Sequence, residues 1–194
     1  MQVISMKGRE SGMPAKEMWD QFFKPEEVLK IMQVDKHVKG IAEFGCGYGT
    51  FTIPAAKLMQ GTVYAIDIEK EMTALTEKEA QKHGLNNVKA ILRDFMAGGT
   101  GLEDESVDYA MLFNILHIDH PEILLKESYR ILRPEGKLGI IHWNYDASTP
   151  RGPSMNIRPK PKQCVAWAKE AGFINPQQYD LKPYHYGIVM RKEG

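Results

Sequence analysis

What this chain has little of narrows its chemistry first. It carries only two cysteines in 194 residues, too few for a disulfide framework or a four-thiolate zinc site. Neither sign of charge is in surplus, because 25 basic residues meet 25 acidic ones. The positive field that non-specific binding to a phosphate backbone requires is therefore missing, and nucleic acid is not the expected partner. No apolar run approaches the roughly 20 residues of a membrane-spanning helix, and the opening MQVISMKGRESGMP has no apolar stretch of signal-peptide length. The expectation is a cytoplasmic protein with no membrane span and a small-molecule substrate, and its oligomeric state is left open.

What is present is an alternation. From about residue 40 onward, short apolar runs alternate with helix-length amphipathic segments, the pattern of a parallel sheet covered by helices. The strand-like runs are 41–44, 62–66, 88–92, 107–113 and 137–143. Between them lie TIPAAKLM, EKEMTALTEKEAQKH stopped by Gly84, and PEILLKESYRIL opened by Pro121; proline near a helix start and glycine past its end are the expected punctuation. After the fifth run a proline-rich loop leads to the helix QCVAWAKEA, and QQYDLKP and HYGIVMRK read as a closing antiparallel hairpin. Residues 1–34 read as an N-terminal helical cap segment and 35–194 as the main domain.

The stretch AEFGCGYGT places Gly45, Gly47 and Gly49 directly after the first strand. Glycines where a strand gives way to a helix let the main chain turn tightly and approach a ligand that a Cβ would repel. Asp67 ends the second strand, twenty residues past Gly47, where a carboxylate receives both hydroxyls of a ribose or caps the next helix. A dinucleotide fingerprint would put its third glycine at position 50, which is Thr50. Glu43, just ahead of the loop, disfavours a phosphate and suits a cationic ligand. Asp94 and Phe95, after the third strand, suit an adenine edge. Cys46 lies inside the loop and is counted with it, although a free cysteine there also reads as a small core residue.

AEFGCGYGTFT, VYAIDIEKEM, LRDF, VDYAMLFNILHI and YRILRPEGKLGI, in this order and spacing, resemble the motifs of class I S-adenosylmethionine-dependent methyltransferases, nearest to the small-molecule branch of the ubiquinone and menaquinone biosynthesis methyltransferases. The resemblance is strong over roughly residues 35–145. It implies an α/β fold: a Rossmann-like seven-stranded sheet, helices on both faces, the last strand antiparallel. It also implies S-adenosyl-L-methionine as cofactor. Carried over by position, Glu43, Gly45, Gly47 and Gly49 line the methionine moiety, Asp67 the ribose, Ile68 one adenine face, Asp94 and Phe95 the adenine edge, and Asn114 the region below the sulfonium.

Methyl transfer by in-line displacement rests mainly on positioning. If the acceptor is a hydroxyl or a carbon acid, a base is also required, and the candidates are His117, His142 and Tyr145, which follow the fourth and fifth strands. HIDH, residues 117–120, does not make a metal site, because adjacent turn positions seldom converge on one ion. Arg151, Arg158, Lys160 and Lys162 form a local basic excess that serves an anionic substrate group or a solvated loop equally. Trp19, Phe22 and Phe23 suit a lid over the substrate or simple packing on the sheet. NILH stands where DNA amino-methylating enzymes of similar fold carry an Asn/Asp-Pro-Pro-aromatic stretch. Two rival readings stand beside it: a nicotinamide-dependent oxidoreductase with Asp67 on the ribose, which the G-x-G-x-G spacing disfavours, and a non-catalytic module that binds S-adenosylmethionine as a sensor and has the same cofactor half.

Overall fold

The chain is described by a computed structural model over residues 16–194, so the part of the N-terminal cap expected before Lys16 lies outside the described residues. The elements follow in order: α1 (Lys16–Trp19), a single 3₁₀ turn (Asp20–Phe22), α2 (Pro25–Ile31), β1 (Gly40–Phe44), α3 (Thr52–Leu58), β2 (Thr62–Asp67), α4 (Lys70–Lys82) and β3 (Val88–Leu92). Then come α5 (Phe95–Gly98), β4 (Val107–Phe113), α6 (Pro121–Ile131), β5 (Leu132–Trp143), α7 (Pro161–Glu170), β6 (Ile174–Leu181) and β7 (His185–Arg191). The seven strands form one sheet in the order β3-β2-β1-β4-β5-β7-β6, with β7 antiparallel to both its neighbours. The winding reverses between β1 and β4, and in open sheets of this kind ligands sit in the crevice at the carboxyl ends of such a pair.

The inner strands are buried on both faces, which is why their sequences are nearly continuous apolar runs. Along β4, Ala110 and Leu112 pack on the face covered by α6 and α7, while Tyr109, Met111 and Phe113 pack on the face covered by α2 and α3. The fully buried Tyr109 hydroxyl donates to the carbonyl of Met32 at 2.7 Å, tying the end of α2 to the centre of the sheet. Gly139, on the neighbouring β5, is required by that ring: a Cβ there would collide with the phenol of Tyr109.

Besides β6, which begins at Ile174 rather than Gln177, two local features depart from the sequence expectation. β5 begins at Leu132, five residues before the expected start, because pairing is made directly from the end of α6: Glu105 and Ser106 donate to the carbonyls of Arg130 and Ile131. The Arg133–Gly136 stretch is absorbed as an irregularity with Glu135 at φ 63°. The one-turn α5 is the second departure; it forms because the Asp94 carboxylate accepts from the amides of Met96 and Ala97.

One ionic cluster fixes α6 to the connection leading into β4. Glu127 accepts from the amide and hydroxyl of Thr100, both at 2.6 Å, and from the guanidinium of Arg130, which also reaches Asp104. Burial alone would raise the Glu127 carboxyl, but the hydrogen bonds from Arg130 and Thr100 outweigh it and hold it at about 2. Such a depressed carboxyl stabilises the fold above its ordinary range, and the contribution fades as pH falls toward its folded value. Glu127→Gln should therefore destabilise the protein at pH 7 by about 1.5–3 kcal/mol, the scale of hydrogen bonds to a charged group. In denaturant titrations the gap between variant and wild type should narrow between pH 4.5 and 2.

Candidate cofactor and substrate site

The three glycines of the β1–α3 turn all adopt positive φ: 74° at Gly45, 52° at Gly47 and 76° at Gly49, a region that side-chain-bearing residues avoid. The turn is held from three directions. The amides of Gly45 and Cys46 donate to the carbonyl of Ile66 (2.8 and 3.1 Å), the Gly47 amide donates to Asp67 Oδ2 (2.9 Å), and the Thr76 hydroxyl on α4 donates to the Gly47 carbonyl (2.9 Å). Gly49 also packs closely, since a Cβ would stand 3.1 Å from Thr76 Oγ1.

Asp67 is 4% exposed, and its other oxygen accepts from the Glu69 amide at 3.0 Å. Each carboxylate oxygen accepts more than one bond, so these contacts leave Asp67 capacity for a ligand hydroxyl. Glu43 is 3% exposed and accepts a short hydrogen bond from the Thr52 hydroxyl at the start of α3. Burial raises its carboxyl, the Thr52 bond opposes this, and the nearby Asp67 adds to it, leaving the group at about 8. Asp67 is also raised, chiefly by burial, against the pull of its backbone donors. Cys46 is buried beside them, its thiol pushed well up by burial and by the two carboxylates.

Ile68 lies half-buried just past Asp67. Asp94 caps α5, and Phe95 is buried edge-on to Phe44 at 5.5 Å. Across the crevice Asn114 follows β4 in the left-handed region, φ 55°, with its amide donating to the Ile141 carbonyl at 2.7 Å. Both polar atoms of its side chain are buried with no partner among the described residues. An amide with two unmet groups is costly and points to a missing ligand or water.

Near the carboxyl ends of β4 and β5, Nδ1 of His117 and Nε2 of His142 are 3.2 Å apart. His142 is fully buried, near-parallel to Tyr186, and burial together with His117 holds it well below the usual imidazole range. His117 is only partly buried by surface, and desolvation plus the charge of Arg158 lower it to about 4. A third imidazole, His185, sits between Phe23 and Trp143 at 4.3 and 4.2 Å and is likewise lowered, to about 3, by burial and Arg158. All three are neutral at pH 7. Tyr145 stands on the following loop, 45% exposed, with the Lys160 ammonium 4.4 Å over its ring.

The basic residues of the loop divide. Arg151 is exposed, but Arg158 is 7% exposed and its guanidinium donates to the carbonyls of Asn144, Asp146, Arg151 and Pro153 and to the Thr149 hydroxyl. It is the staple that closes the loop on itself. The N-terminal aromatics pack at the same end: Phe22 lies 5.1 Å from Trp143, and Phe23 5.1 Å from Phe51. Sequence reasoning missed Thr52, Thr76 and His185, and it grouped Arg158 with its basic neighbours. A hydroxyl facing a buried carboxylate leaves no mark in spacing, and nothing in the sequence separates Arg158 from Arg151. Arg158→Ala should free the loop, so that trypsin cuts after Arg151 about tenfold faster or more, as expected when local opening governs cleavage. An unchanged rate would mean that the staple does not govern opening.

Comparison with known proteins shows what the chain resembles. Residues 41–136 match the family described as a methyltransferase domain. A demethylmenaquinone methyltransferase of Geobacillus sp. is 31% identical over 116 residues, covering 58% of this chain and 48% of that protein. The chain thus spans about half the length of that relative. A demethylmenaquinone methyltransferase of Anoxybacillus flavithermus is 27% identical, covering 84% of this chain and 80% of that one. The crystal structure of a SAM-dependent methyltransferase from Aquifex aeolicus superposes with a TM-score of 0.79 at 25% identity, covering 88% of this chain and 90% of that one. The [4+2]-cyclase SpnF also superposes, at TM-score 0.74 and 17% identity over 95% of this chain and 84% of that one, a likeness of fold alone. Residues 41–136 are thus a methyltransferase domain, and these relatives together support a class I S-adenosylmethionine-dependent methyltransferase that resembles those of quinone biosynthesis.

Proposed function

We propose that this protein transfers the methyl group of S-adenosylmethionine to a small organic acceptor that gives up a proton. The observation that carries this reading is the constellation at the reversal point of the sheet: a positive-φ glycine turn, two buried carboxylates and an unpartnered amide, on β1, β2 and β4. A cationic nucleoside fits these residues, whereas a pyrophosphate would meet Glu43 and Asp67. In this reading Gly45, Cys46, Gly47 and Gly49 form the floor under the methionine portion, and Glu43 supports its charged end. Asp67 receives ribose hydroxyls, Ile68 covers the adenine, Asp94 and Phe95 border its edge, and the Asn114 amide faces the reacting centre.

When bound, S-adenosylmethionine supplies a methyl carbon on a sulfonium open to in-line displacement. The chain's task is then to align the acceptor and exclude water. His117 takes the acceptor's proton, and His142 positions it through the 3.2 Å contact between the rings. A neutral imidazole with lowered basicity suits an acceptor that is itself acidic, such as an activated hydroxyl or carbon acid. Tyr145, exposed beneath Lys160, is a weaker candidate for the same role. The sensor reading keeps the cofactor residues and forgoes the histidine pair.

Calorimetry should find S-adenosylmethionine bound far more tightly than NAD, and Asp67→Ala should weaken it by about 1.5–3 kcal/mol. Methyl-labelled cofactor incubated with a metabolite extract should transfer label to a small molecule. Tighter binding of NAD, or tight S-adenosylmethionine binding with no label transferred, would overturn the enzymatic reading. With the labelled acceptor identified, His117→Asn should lower turnover by on the order of 10²-fold or more while cofactor affinity holds.

A further inference from the structure

The neighbourhood of Glu43 carries more than a contact to the cofactor, and its further role rests on the reading that S-adenosylmethionine binds there. Glu43 and Asp67 are buried at the carboxyl ends of adjacent strands, 3% and 4% exposed. Their hydrogen-bonding partners are neutral: the Thr52 hydroxyl for Glu43, and the amides of Gly47 and Glu69 for Asp67. Neither carboxylate has an ion pair among the described residues. The groups around Glu43 are Asp67 from β2, the protonated thiol of Cys46 from the turn, Thr52 from α3, and the apolar Met111 beside it on β4. Thr76 of α4 is turned to the glycine loop, and Glu69 adds further negative charge beside Asp67.

Two negative charges buried side by side without a counter-charge are strongly disfavoured. Relief comes from a proton or from a cation. Asp67 has two backbone donors that favour its ionised form, and Glu43 has a single hydroxyl, so the proton belongs on Glu43.

We propose that Glu43 is the charge-selecting residue of the cofactor site: it holds a proton in the ligand-free protein and releases it to solvent when a ligand brings positive charge beside the Glu43–Asp67 pair. The site thereby favours cationic ligands over anionic ones. The raised carboxyl, at about 8, agrees with this assignment. Its sign has two consequences. Between the ordinary carboxylate range and about 8 the native state binds more protons than the unfolded chain, so ligand-free stability falls as pH rises through that window. Affinity for a cationic ligand rises over the upper part of the same window, approaching tenfold per pH unit, and levels above it. The amino group of S-adenosylmethionine titrates near the same range, so Glu43→Gln, which keeps an acceptor for Thr52 and cannot ionise, is the reference.

The test is calorimetric titration of S-adenosylmethionine into the full chain at pH 7, in two buffers of different ionisation enthalpy, with wild type and Glu43→Gln. Wild type should release close to one proton more than the variant, and its advantage in affinity should shrink as pH falls from 8 to 6. Equal proton counts with both proteins binding would overturn the proposal and leave the functional reading standing. No binding to wild type would instead remove the functional reading. Thermal unfolding without ligand, from pH 5 to 8, adds an independent arm: wild type should lose stability relative to Glu43→Gln, and parallel courses would overturn the proposal. If Glu43→Gln does not fold, Thr52→Val serves, because losing the hydroxyl should move the proton release to higher pH; an unmoved profile would count against Glu43.

Discussion

The bond from the Gly47 amide to Asp67 is the constraint on which the rest of the site depends. It joins the turn after β1 to the end of β2, two strands that lie side by side. A glycine-rich segment is entropically expensive to order. The carboxylate, the Ile66 carbonyl and the Thr76 hydroxyl supply that order without placing a side chain in the crevice. Asp67 must be ionised to accept both backbone donors well, and its negative charge then weighs on Glu43 and Cys46. The carboxyl of Glu43, raised chiefly by its burial, is raised further by the charge that the turn requires next to it.

The same logic separates the two sides of the crevice. Around the glycine turn the buried negative charge is that of Asp67, held by backbone amides. Near the carboxyl ends of β4 and β5 the buried groups are neutral imidazoles, lowered by desolvation and by Arg158, whose guanidinium is committed to the carbonyls of its own loop. A bond-making step between the two sides would therefore take place between a region that attracts positive charge and one that resists it.

Much of this was legible in the sequence, and the parts that were not share a cause. Strands 88–92 and 107–113 were readable to the residue because apolar runs bounded by turn chemistry have little freedom. The glycines and Asp67 were readable because their spacing fixes a backbone geometry. The pairing of His117 with His142 was not, since 25 residues separate them and only the register of β4 against β5 brings them together. Asp94 looked like a ligand for adenine, and the structure also gives it a cap to hold, a role that depends on a one-turn helix too short for periodicity to reveal. Arg158 was grouped with its basic neighbours because composition counts charges and does not see which of them is surrounded by carbonyls.

The hydroxyl of Tyr109 reaches through the core to the Met32 carbonyl, and Gln33, the next residue, bonds to the Tyr179 hydroxyl at 2.7 Å. Phe23, Val28 and Leu29 belong to the same buried cluster as Tyr109. The end of α2 is therefore riveted to β4 and β6 at once. A cover that opened by lifting this whole segment would strand a buried phenol and a buried carbonyl and expose part of the core, which is partial unfolding rather than gating. Any opening of the crevice that keeps the core intact therefore leaves residues 23–33 in place.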